Sequence, residues 1–80
     1  MKIPRDIGGT ELAKALQRYG YQVTRQTGSH LRLTTQRGGE HHITIPAHNS
    51  LRIGTISSIL AEVASHLQRD KQALMHELWG

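Results

Sequence analysis

Apolar residues return along this 80-residue chain with two different periods, and the change from one to the other marks out its elements. Over GGTELAKALQRY, Leu12, Leu16 and Tyr19 recur at spacings of three and four, which gathers them on one face of a helix. Gly8 takes the N-cap position, Glu11 three residues on supplies half of a capping box, and Gly20 offers the positive φ that commonly ends a helix. A first helix is predicted over about 9–19. From Tyr21 the period falls to two. YQVTRQ, HLRLTT and HHITIP alternate apolar with polar and are separated by TGS and QRGGE, predicting three antiparallel strands in a meander. Alternation assigns Val23, Leu31, Leu33, Ile43 and Ile45 to one face, and Gln22, Thr24, Gln26, His30, Arg32, Thr34, His42 and Thr44 to the other.

AHNSLRIGT reads as a loop, after which Ile56, Ile59, Leu60, Val63 and Leu67 restore the helical spacing. Thr55 is the expected N-cap of this main helix, with Gly54 before it, so that the free N–H groups of the first turn form an anion site. Asp70 is placed to cap a last short helix, KQALMHELW, whose Leu74, Met75, Leu78 and Trp79 are available for packing. MKIPRDI reads as an extended lead-in that lays Ile3 and Ile7 against the body. The expected architecture is one α+β domain over residues 1–80, with its core over about 8–67 and a helical extension over 70–79. Helices cover the apolar sheet face in a two-layer sandwich, and the polar face stays open to solvent.

Composition narrows the chemistry. With 36% hydrophobic residues and no cysteine, the chain has neither a disulfide staple nor a thiolate cluster to supplement a small core. No apolar run approaches the roughly 20 residues of a membrane span, so a cytoplasmic protein without a membrane partner is expected. Ten Lys and Arg against six Asp and Glu give a formal charge of +4, which favours a polyanionic partner. Six histidines invite a metal site, but His41 and His42 cannot put both rings on one side of a strand, and no carboxylate–histidine or CxxC spacing accompanies them. No metal and no cofactor is expected.

RQTGSHLRL on the first hairpin, ITIPAH at the end of the third strand and LRIGTISSIL opening the main helix resemble the HicA, or YcfA-like, family of bacterial toxins from type II toxin–antitoxin systems. The likeness runs from about Gly8 to Ala64, with the three motifs in the family's order. It implies a fold like the double-stranded RNA-binding domain, α-β-β-β-α, here with an additional C-terminal helix. It also implies a ribonuclease that cleaves mRNA, neutralisation by a HicB-type antitoxin, and His30 of the G-S-H motif as the functional centre. Compact family members end soon after the main helix, whereas this chain continues from Gln68 to Gly80; oligomerisation into a homo-oligomer, antitoxin contact and plain core coverage are all open for that tail.

RNA carries its own nucleophile in the 2′-hydroxyl, so cleavage needs an acid–base group and charge stabilisation at phosphorus rather than a metal. Histidine, with an unperturbed pKa near 6.5 as a residue type, suits that task. His30 can serve as base on the 2′-hydroxyl or as acid on the leaving 5′-oxygen; its bland reading is a solvated hairpin histidine. His42 shares its facing, but pairing through the QRGGE turn puts His30 near Pro46 to His48 instead, which makes His48 the better second histidine. His66 and His76, in helices, are most simply solvated or interfacial. Among the cations, Arg32 stands beside His30, Arg25 precedes the turn, Arg37 lies in the second hairpin and Arg52 before the main helix; Arg32 is the first choice for bidentate phosphate contact. Ser29 and the Gly28 backbone are placed to hold the scissile phosphate. Two other readings use the same fold. One is a non-catalytic RNA-binding module, whose duplex affinity the lysine-free IGTISSIL would keep weak; the other is an interaction partner of an antitoxin without activity of its own.

Overall fold

The computed structural model describes residues 6–79. Ile3, expected against the body, lies outside the described residues; Ile7 is buried and its carbonyl accepts the Leu51 N–H at 2.8 Å. Helix α1 spans Gly9–Leu16 and tightens into a 3₁₀ turn over Gln17–Tyr19, and Gly20 closes it at φ +85°. Strands β1 (Gln22–Thr27), β2 (His30–Thr35) and β3 (His41–Pro46) follow, then helices α2 (Ile53–Leu67) and α3 (Lys71–Trp79). The order is the expected α-β-β-β-α with a terminal helix, and the sheet is an antiparallel meander in the order β1-β2-β3.

Leu31, Leu33, Ile43 and Ile45 face the helices and are buried with Leu12, Leu16, Ile56, Leu60 and Val63. Val23 departs from the expected face assignment in effect: it pairs with Leu33 yet is 47% exposed, on the edge strand β1. The alternation also fails within β1. Val23 pairs with Leu33 and Arg25 with Arg32, so Thr24 is an extra residue, a β-bulge. The bulge turns Arg25 to the open face and Gln26 to the Leu31 face, the reverse of a strict period of two. Tyr21, expected as the first strand residue, instead precedes β1 and is fully buried.

Two glycines set how closely α1 approaches the sheet. A Cβ on Gly9 would stand 2.0 Å from the Pro46 carbonyl oxygen, and the Gly9 N–H donates to the His48 carbonyl at 2.9 Å. Gly8 is the N-cap; with no side chain to cap the helix, its contribution is its own N–H, which donates to the Glu11 carboxylate at 2.9 Å.

Helix α2 begins three residues before the expected start. Arg52, extended at ψ 144°, is its N-cap and no side chain caps it; the Arg52 carbonyl accepts the Ile56 N–H. Thr55 is therefore not the cap but the third helical residue. At the other end Gln68 adopts φ 55° and the Arg69 N–H returns to the Ala64 carbonyl, the bond pattern that closes a helix before a turn. Asp70 caps α3 as expected, its carboxylate accepting the Ala73 N–H at 3.0 Å. Leu74 and Met75 are buried in the core shared with the sheet and α2, and Leu78 and Trp79 pack against its margin.

Candidate functional site around His30

Thr27 and His30 pair across a two-residue turn in which Gly28 has φ +53° and Ser29 does not need a positive φ, the arrangement a Gly-first hairpin turn requires. The Ser29 carbonyl accepts the Ala47 N–H at 2.7 Å, which ties this turn to the chain leaving β3. His30 itself pairs with Pro46, at the end of β3 remote from His42. A side chain at the first residue of β2 is thus held from both sides by backbone, while its ring stays exposed.

His30 stands between two depressions. One, of about 260 Å³, is lined by Arg25, Thr27, His30, Arg32 and Thr44. The bulge is what completes it, since only with Thr24 extruded does Arg25 come level with Arg32 on the open face. Two guanidiniums facing the same space suit phosphate oxygens, each offering a planar fork of donors. The second, of about 500 Å³, lies between β3 and the opening turns of α2, and is lined by His30, Thr44, Pro46, Gly54, Thr55, Ser58, Ile59 and Glu62. Thr55 does reach the site, then, as one wall of a cleft instead of as a cap. His30 and Thr44 are common to both.

The remaining sequence candidates fall elsewhere. His48 is exposed and lines neither cleft, its carbonyl serving to hold Gly9. Gly28 and Ser29 shape the turn but line neither cleft. Arg37 donates to the Arg18 carbonyl at 2.9 Å, and Arg52 borders a depression with Asp6 and Ser50. His42 belongs to a chain of contacts along the open face. Its Nε2 donates to Glu40 Oε2 at 2.8 Å; in the neutral ring Nδ1 then accepts from Thr34 Oγ1 at 2.7 Å, and Thr34 lies 2.9 Å from Thr24 Oγ1.

Sequence reading passed over Glu62, although the signal was there: Thr55, Ser58 and Glu62 repeat at three and four along the side of α2 away from Ile56, Leu60 and Val63. It also missed a second histidine pair. His41 and His66, from the start of β3 and the end of α2, stack with ring centroids 4.3 Å apart. His66 Nε2 donates to the Arg37 and Gly39 carbonyls, and the buried Tyr21 hydroxyl lies 2.7 Å from His41 Nδ1. Burial, with the Glu62 charge adding to it, pushes the Tyr21 phenol up to about 12. Burial also lowers the His41 pKa, and neighbouring His66 and His42 act the same way while Glu62 opposes them. Among the described residues no group of three or more His, Cys, Asp or Glu is placed to hold a metal ion, and no helix is long and apolar enough to cross a membrane.

No curated protein and no solved structure matches the chain. A family model described as the HicA toxin of bacterial toxin–antitoxin matches residues 9–64. That span opens at the glycine pressed against Pro46, takes in the whole sheet and both clefts beside His30, and closes within α2. The match covers well over half of the sequence, and the chain belongs to the HicA toxin family.

Proposed function

We propose that this toxin is an endoribonuclease that cleaves mRNA without a metal ion, with His30 transferring a proton at the scissile linkage, and that a HicB-type antitoxin neutralises it. The observation that carries the reading is the position of His30: a histidine at the junction of two clefts, one of them lined by Arg25 and Arg32. A phosphodiester backbone placed there has its charge met by two guanidiniums and an imidazole beside its reacting atoms. The 2′-hydroxyl is the nucleophile, so the protein needs only to move protons and to bind phosphate. A +4 chain is electrostatically suited to gather such a substrate.

A fluorogenic RNA assay in the presence of a chelator tests this. His30→Ala is expected to lower the cleavage rate by about 10²–10⁴-fold, the usual worth of a positioned acid–base group. Arg32→Ala is expected to reduce it less, to weaken RNA binding and to make that binding less dependent on salt. Cleavage by His30→Ala at the wild-type rate removes the catalytic role, and tight RNA binding without any cleavage favours the non-catalytic module instead. Co-expression with an antitoxin of the HicB type should yield a complex that suppresses the activity.

A further inference from the structure

Transesterification of RNA moves two protons, one from the 2′-hydroxyl and one to the departing 5′-oxygen, and no second histidine lines either cleft beside His30. The larger cleft does hold another titratable side chain, Glu62 on α2. We propose that Glu62 is the general base of the reaction and His30 its general acid, the RNA linkage lying in the cleft between β3 and α2. This assignment rests on the cleavage reading above and adds the missing proton acceptor to it.

The placement is a consequence of the fold. Strand β3 presents Thr44 and Pro46 at the floor of the cleft, His30 enters from β2 by its pairing with Pro46, and α2 runs along the opposite side with Thr55, Ser58 and Glu62 one above the other. In-line attack at phosphorus needs base and acid on opposite sides of the phosphate, which two walls of one cleft provide. The Glu62 carboxylate takes the proton of the 2′-hydroxyl as the 2′-oxygen–phosphorus bond forms. The bond from phosphorus to the 5′-oxygen breaks, and protonated His30 gives that oxygen its proton. The products are a 2′,3′-cyclic phosphate and a 5′-hydroxyl. Arg25 and Arg32, on the other side of His30, hold the neighbouring backbone. Glu62 also acts electrostatically on Tyr21 and His41, so a test must separate proton transfer from support of the fold.

A change of leaving group does so. A short RNA is prepared with oxygen, or with sulfur in place of the bridging 5′-oxygen, at the linkage the wild type cuts; sulfur leaves without needing a proton. Glu62→Gln is expected to cut the oxygen substrate about 10²–10⁴-fold more slowly and to keep that deficit with sulfur. His30→Ala is expected to regain most of its loss with sulfur. Glu62→Asp, which keeps the carboxylate, should recover part of the rate, and thermal melts of both variants check the fold. Wild-type rates in Glu62→Gln, or recovery by sulfur in Glu62→Gln and not in His30→Ala, overturn the assignment while leaving RNA cleavage standing. Cleavage by wild type and His30→Ala at the same rate removes His30 as the acid and overturns the assignment, whereas absence of cleavage by the wild type overturns the cleavage reading itself.

Discussion

The Tyr21 phenol and the His41 ring titrate away from their ordinary ranges, and the two shifts act on opposite sides of neutrality. His41 has its pKa lowered from 6.5 by burial and by the facing His66 and His42, with Glu62 opposing. The unfolded chain therefore takes up that proton more readily, and the contribution of His41 to stability, complete above about pH 6.5, is lost as pH falls toward the folded value. Tyr21, raised from 10.0 to about 12, behaves in the opposite sense: its contribution is complete below the unfolded value and is lost as pH rises through the folded one. Melting temperatures across pH should fall on both limbs. His41→Gln should flatten the acid limb and Tyr21→Phe the alkaline one; equal acid slopes in wild type and His41→Gln would mean that the stacked pair does not set the dependence. The stack joins the β2–β3 turn to the end of α2, so its protonation is expected to loosen that corner.

At the scale of elements, the tightest contact is the seat of α1 on the end of β3. Replacing Gly9 by Ala gains at most about 1 kcal/mol of helix propensity. The new methyl would meet the Pro46 carbonyl, backbone that cannot swing aside as a long side chain would. Overpacking of that kind costs about 1–3 kcal/mol, so the expected sign is destabilising. Because Pro46 also lines the cleft beside His30, Gly9→Ala should lower activity as well as melting temperature. An unchanged melt in Gly9→Ala would show that α1 can ride outward without cost. The pair Gly8–Gly9 was legible in the sequence as a helix start; that a carbonyl lay against it was not, since Pro46 is far along the chain. The same division holds elsewhere. Periods of two and of three to four carried the strands, α1, α2 and the Asp70 cap, because local residues decide them. The bulge at Thr24 was invisible, because only pairing with β2 reveals an extra residue, and it alone puts Arg25 at the site. Thr55 misled as a cap because hydroxyl caps are favoured there, whereas the extended Arg52 starts the helix with backbone alone. Glu62 could have been found from its spacing to Thr55 and Ser58, but which side of α2 meets His30 depends on how the helix packs.

For the molecule as a whole, burial shows that the C-terminal tail covers core, one of the roles open for it. The family match ends at residue 64, yet the core does not. Leu74 is fully buried, and Glu77 fastens α3 to the other end of the chain: its carboxylate accepts from the Tyr19 hydroxyl at 2.7 Å and from Arg69, and its carbonyl from Arg18. Lys71 reaches Ser57 on α2. A chain of 80 residues buries a modest core, with a net stability on the order of 4–12 kcal/mol at 0.05–0.15 kcal/mol per residue. Truncating one enclosed leucine typically costs about 2–5 kcal/mol, a large share of that total. Leu74→Ala is therefore expected to lower the melting temperature by about 4–8 °C for each kcal/mol lost, a shift thermal denaturation resolves easily. No residue of α3 lines either cleft at His30, so at a temperature where Leu74→Ala remains folded its cleavage rate should equal that of wild type. A melt unchanged by Leu74→Ala would make α3 an appendage that the core does not use. A normal melt shift accompanied by lost cleavage in the folded variant would instead couple the tail to the site through α2, the helix that α3 packs on and that carries Glu62.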